Sequence, residues 1–158
     1  MLSNFVRSLI YLAAMSLATI AVSAEAQTLS SVEVRSGETT QTLQMTLTKA
    51  SILEGVAQTD QSISDSDGGI LLDLFDATAI AISSATASTA LDLVFVSPSG
   101  TVTMIARNAA PASRNAIDFN GPTPLILQLS AGQALSLGLS PGDTVSHELL
   151  GNTEAAGE

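Results

Sequence analysis

Two adjacent stretches past the middle of the chain leave little choice of architecture. Leu91-Asp92-Leu93-Val94-Phe95-Val96 is apolar at five of six positions and rich in β-branched and aromatic residues, the composition of a buried strand. Ser97-Pro98-Ser99-Gly100 follows with Pro where φ is fixed and Gly at the end, a turn, and Thr101 to Arg107 returns as the partner strand. Earlier, Ser31 to Arg35 and Gln41 to Thr48 alternate polar and apolar residues around Ser36-Gly37-Glu38, with Leu43, Met45 and Leu47 on one face, which predicts a hairpin. Ile70–Phe75, Thr78–Ser83, Leu125–Leu129 and Thr144–Leu149 read as further strands. The fold class expected is mainly β: a compact, barrel-like antiparallel or mixed sheet with one or two short helices.

The intervening segments carry weaker signals. Ser51 to Gln58 is ambiguous, with a short helical turn as one reading; Thr59 to Gly69 reads as an acidic Ser/Gly-rich loop, Ser84 to Thr89 as a run of small residues, and the region around Pro111 as a loop. Ser130 opens a short helix as N-cap, with Gln133 three residues on in capping-box position and Gly138 placed to end it. Leu135, Leu137 and Leu139 are its apolar residues.

The N-terminus has a different character. Arg7 precedes an apolar run from Leu9 to Val22, broken only by Ser16 and Thr19, and the overlapping sites Val22-Ser23-Ala24 and Ala24-Glu25-Ala26 follow. A basic start, a short apolar run and small residues at −3 and −1 describe a secretory signal peptide. The run is shorter than the roughly 20 residues a spanning helix needs. Residues 1–26 are therefore expected to be removed after Ala26, so that the membrane is met only transiently. A signal-anchored protein is the alternative. Cleavage leaves 132 of the 158 residues, one β-rich domain over 27–150 and a small acidic tail over 151–158, expected to be disordered. The destination is periplasmic or extracellular.

Composition excludes several functions. Cysteine is absent, which rules out disulfides, thiolate zinc sites and a cysteine nucleophile. After Ala26 four basic residues (Arg35, Lys49, Arg107, Arg114) face fourteen acids, a surface that repels nucleic acid and anionic lipid. Only Phe75, Phe95 and Phe119 remain as aromatics, too few for base stacking or an aromatic cage.

Several tempting sites fail on chemistry. Gly138-Leu139-Ser140-Pro141-Gly142 fits Gly-x-Ser-x-Gly, with Asp143 and His147 after it. A nucleophile elbow, however, needs an N–H on the residue after the serine, and Pro141 has none. The helix–turn–strand context is also the reverse of the strand–turn–helix an elbow requires. Asp65-Ser66-Asp67-Gly68-Gly69 resembles a calcium loop, but aligning Gly68 puts Ile63 and Leu74 at essential ligand positions. A solvated turn is the reading adopted, with Asp60, Asp65 and Asp67 as the acids of any weak cation contact. His147, the one histidine, shares a strand face with Val145 and Leu149 and reads as packed or rim, so no metal is expected. Asp92 stands out as an acid inside an apolar strand. A buried carboxylate needs a partner, for which Arg107 and Arg114 are the candidates, and Asp92 with Arg107 forms the candidate ligand contact.

The C-terminal half resembles the uncharacterised Domain of Unknown Function 192 family. The resemblance rests on Leu91-Asp92 with Phe95, the turn closing at Gly100, Pro111-x-Ser113, and above all the stretch Leu127 to Val145. That stretch matches the family's strand, Ala-Gly-x-Ala helix, Leu-Gly-(Ile/Leu) helix end and Gly-Asp-x-Val strand start, while residues before 91 match only in pattern. Where the family carries Trp-Met-Lys-Asn-Thr-x-x-Pro this chain has Ser83 to Ala90, and Leu43-Gln44-Met45 stands near the family's Arg-Gly-Leu-Met. The resemblance implies a fold and an exported protein, without an activity.

The expected function is a non-catalytic exported domain that binds a small molecule or another envelope protein, without cofactor, metal or nucleic acid. The alternative is a hydrolase-type enzyme assembled around Asp92, Arg107 and Asp118. Processing is open to a direct test. The sole Tyr, Tyr11, precedes Ala26 and Trp is absent, so pure exported protein is expected to show essentially no absorbance near 280 nm. An appreciable 280 nm band from homogeneous protein would mean the leader is retained.

Overall fold

The computed structural model describes residues 28–60, 68–76 and 78–153. The leader, most of the acidic loop including Asp65 and Asp67, and tail residues 154–158 lie outside the described residues.

The alternating segments form a hairpin, β1 (Thr28–Ser36) and β2 (Thr39–Lys49), closed by Gly37-Glu38 between the paired Ser36 and Thr39. Val32 and Val34 of β1 and Met45 of β2 point into the core, as the period of two requires. After a second hairpin, β3 (Ser51–Leu53) and β4 (Val56–Gln58), come β5 (Ile70–Asp73), β6 (Ala81–Ser84), β7 (Leu91–Val96), β8 (Val102–Ala109), β9 (Ser113–Asp118) and β10 (Leu125–Ser130). A single-turn helix α1 (Gln133–Ser136), strand β11 (Thr144–Ser146) and a 3-10 turn at Glu148–Leu150 complete the described chain.

Seven strands make one sheet in the order β11-β1-β2-β5-β10-β7-β8, and four make a second in the order β3-β4-β6-β9. Both are mixed, with β2–β5 and β4–β6 the parallel pairs. The large sheet curls until its two edges meet. Thr101 bridges to Thr144, Val102 N–H donates to Asp143 O at 2.8 Å, and Val145 N–H donates to Gly100 O at 2.7 Å. The mainly β, barrel-like class read from the sequence is the class observed.

Two cores explain why the central strands read as continuous apolar runs. Inside the curl, Val32, Val34, Met45, Leu71, Val94 and Leu127 pack with Leu139 of the segment after α1. On the other face, Ile70, Leu72, Leu91, Leu93, Phe95 and Ile126 pack against Ala57 and Ile82 of the small sheet. Strands β5, β7 and β10 thus serve both cores with alternate residues.

The structure departs from expectation in several places. Residues 51–58 form the β3–β4 hairpin instead of a helical turn: Glu54 and Gly55 both have positive φ (51° and 79°), the geometry that two-residue hairpin turns favour. All of β3 is exposed, so no alternation marks it. Beyond Pro111 the chain forms β9 where a loop was expected, because an edge strand exposed on one face needs few apolar residues, here Ile117. The last strand ends at Ser146, three residues before the expected Leu149. Of the expected tail only residues 151–153 are described, and there the Asn152 carboxamide donates to Val145 O (2.9 Å) and accepts from His147 N–H (3.0 Å).

Closure of the curl depends on Gly100. Its φ is +82°, and a Cβ there would collide with Val145 O and the Asn152 side chain. Gly37 also has positive φ (+58°) but has open space around it. Gly100→Ala is expected to lower unfolding free energy by about 3 kcal/mol, against about 1 kcal/mol for Gly37→Ala. Denaturant melts of the two variants check this, and equal losses would mean that the closing contact does not exist.

Candidate functional site

Asp92 is 1% exposed and sits opposite an irregularity in β8. Leu91 pairs with Ala109 and Leu93 with Ala106, so one extra residue of β8 is left between them, a β-bulge. Asn108, at positive φ (53°), turns its N–H onto Asp92 Oδ1 at 2.9 Å. Oδ2 accepts from Gly132 N–H at 3.0 Å and Ala134 N–H at 3.1 Å, the groups at the start of α1. The partner expected for this acid, Arg107 or Arg114, is therefore replaced by three backbone donors, a satisfactory environment for a buried carboxylate.

This also corrects the expected helix start. Ser130 is the last residue of β10, and the N-cap position is Gly132, in the left-handed region. Half of the capping box survives: Gln133 Oε1 accepts from Ser130 N–H at 3.3 Å. The other half is supplied by Asp92, forty residues upstream. The helix ends at Gly138 as expected, with Gly138 N–H on Leu135 O and Leu139 N–H on Ala134 O, both 2.9 Å, the paired bonds of a Schellman motif.

The bulge carries Arg107 to the rim of a cleft of about 400 Å³ lined by Asp92, Arg107, Asn108, Ala131, Gly132 and Leu135. Arg107 Nη2 donates to Leu139 O at 2.7 Å, which fixes the guanidinium. The ion pairs among the described residues all belong to Lys49, with Asp76 at 3.0 Å and Asp73 at 4.0 Å. Leu135, 71% exposed, forms an apolar wall. Asp92 and Arg107, the two residues singled out in the sequence, line the same cleft without pairing with each other. Asp118 lies on β9, paired with Ala81 in the other sheet. Arg114 lines a separate surface hollow with Glu54.

The hydrolase-like stretch is a turn. Asp143 Oδ2 accepts from Ser140 N–H at 2.7 Å, and Asp143 N–H donates back to Ser140 O at 3.1 Å. His147 is fully buried, its Nε2 2.6 Å from Ser30 Oγ and its Nδ1 accepting Leu149 N–H at 3.2 Å. An Nδ1 that accepts places the proton on Nε2, so the ring donates to Ser30. Burial pushes its pKa below the ordinary 6.5, opposed by the nearby charges of Glu148 and Asp73.

Gln128 was missed by sequence reasoning. It is fully buried in β10, and its carboxamide accepts from Asp60 N–H (2.9 Å) and donates to Asp60 O (2.7 Å), tying the acidic loop to the large sheet. Its signal was available as the one polar residue within Leu125–Leu129. No group of three or more His, Asp or Glu placed to hold a metal occurs among the described residues.

Residues 24–147 match the family model DUF192, described as uncharacterised. No curated protein matches the chain. Two crystal structures share the fold. One, from Sinorhizobium meliloti 1021 and provisionally described as a transcription regulator, has a TM-score of 0.62 at 25% identity, over 77% of this chain and 95% of that one. The other, a protein of unknown function from Novosphingobium aromaticivorans DSM 12444, has a TM-score of 0.63 at 21% identity, over 78% and 89%.

Because the folded pKa of His147 lies below its unfolded value, the unfolded chain binds the proton first as pH falls. The stability that neutral His147 confers is complete above about pH 6.5 and is lost as pH falls from there toward the folded pKa. Thermal midpoints are expected to drop between pH 7.5 and 5. His147→Gln is expected to start lower at pH 7.5 and to lose most of that slope, and an unchanged slope in the variant would remove His147 as its source.

Proposed function

We propose, for a chain that belongs to the DUF192 family of uncharacterised proteins, a role as an exported, non-catalytic binding domain that takes a small molecule at the Arg107 cleft. The observation that carries this is the state of Arg107. Its guanidinium is held by one backbone carbonyl at the mouth of the cleft, and no carboxylate pairs with it among the described residues. A fixed charge with unused donors beside apolar surface is the usual make-up of a small-ligand site.

The reactive groups support a non-catalytic role. Asp92 is committed to three N–H donors, Asp143 to the Ser140 turn, and His147 to Ser30 and Leu149. Export is supported by the leader pattern of residues 1–26. The family match begins at residue 24, so the apolar run from Leu9 to Val22 falls outside the matched span. The regulator description of the Sinorhizobium structure is not carried over as DNA binding, because four basic residues against fourteen acids oppose phosphate contact.

Native mass spectrometry tests this on protein recovered from the exported fraction of its host and exposed to that host's small-molecule extract. The expected result is the mass of residues 27–158 plus a bound small molecule, with the added mass lost in Arg107→Gln. The full-length mass would refute cleavage. Wild type without added mass, or Arg107→Gln retaining it, would refute the cleft as the binding site.

A further inference from the structure

We infer that the ligand of this cleft is an aliphatic monocarboxylate, an inference that rests on the binding role proposed above for Arg107. The polar wall decides the sign of the ligand. Both oxygens of Asp92 are occupied, Oδ1 by Asn108 N–H and Oδ2 by Gly132 and Ala134 N–H. An ammonium or hydroxyl group entering the cleft therefore finds little acceptor capacity there. Arg107 still has donors beyond Nη2, and with Nη2 anchored on Leu139 O the planar fork does not swing freely. Planar N–H pairs of this kind match a carboxylate.

The other wall decides the rest of the ligand. Leu135 is 71% exposed at the helix end of the cleft, with Ala131 beside it and Gly132 contributing no side chain. An exposed leucine next to a single guanidinium suits a molecule with one anionic end and a hydrocarbon body. A polyanion such as phosphate would meet a single cation beside an exposed leucine, too little positive charge for its own. Asn108, whose N–H is locked on Asp92, adds an amide side chain to the same rim.

NMR titration of the processed protein with sodium acetate, butanoate and hexanoate, alongside hexylamine and inorganic phosphate, tests the assignment. Hexanoate is expected to shift the signals of Arg107, Asn108 and Leu135, with affinity rising roughly threefold per methylene from acetate upward. Arg107→Gln is expected to weaken hexanoate at least tenfold. Leu135→Ser, at an exposed position that leaves Arg107 in place, is expected to keep carboxylate binding and flatten the chain-length trend. Hexylamine or phosphate shifting these signals in place of hexanoate would overturn the carboxylate assignment and leave the cleft standing as a site. Hexanoate that binds Arg107→Gln unchanged, or shifts nothing in wild type, would also overturn it. The separate question of whether the cleft binds anything is answered by the retained mass.

Discussion

The C-terminal half is organised around one buried carboxylate. Moving a charge out of water costs several kcal/mol unless its surroundings replace the lost hydration. Asp92 meets that demand with three N–H groups from separate parts of the chain: the bulge in β8, the turn after β10, and the first turn of α1. A four-residue helix is far too short to persist alone. Here α1 is held at its start by Asp92 and at its end by the Gly138 motif. The bulge that brings Asn108 to Asp92 also places Arg107, so the cleft follows from the same contact.

The fold has no crosslinks to fall back on. Its cohesion comes from a sheet used on both faces, with β5, β7 and β10 supplying alternate residues to the inside of the curl and to the layer beneath the small sheet. Phe95 and Phe119 meet edge-on at 5.7 Å and link β7 to the end of β9. The run Ser83 to Ala90 packs by virtue of its small residues. Ser83 and Ser84 are buried and donate to Ser113 O and Ala110 O, and Ala112 N–H reaches Ala87 O.

How legible these features were depended on how strongly burial marks a residue's neighbours. The β1–β2 hairpin and strands β7 and β10 were readable because buried faces impose alternation or continuous apolar runs, and β8 because the Ser97–Gly100 turn returns the chain beside β7. Strands β3 and β9 were not, because they are short or solvent-facing and leave no periodic trace. The family likeness was visible over 91–145 and in fact reaches back to residue 24. Of the candidate site, the anomaly of Asp92 was visible, but its partners were backbone groups that no side-chain pattern advertises. The capping signal at Ser130 pointed to a helix that exists, yet the cap came from Asp92, and local spacing cannot reveal a contact across forty residues.

The pairing of the first strand with the last has a kinetic consequence. Glu33 of β1 lies opposite Ser146 of β11, and Ser30 is held by His147, so both edges of the large sheet wait for the final dozen described residues. Contacts this distant in sequence form slowly, since the loop between them must be ordered first. A chain still emerging from the ribosome therefore has its opening hairpin but cannot seal the barrel.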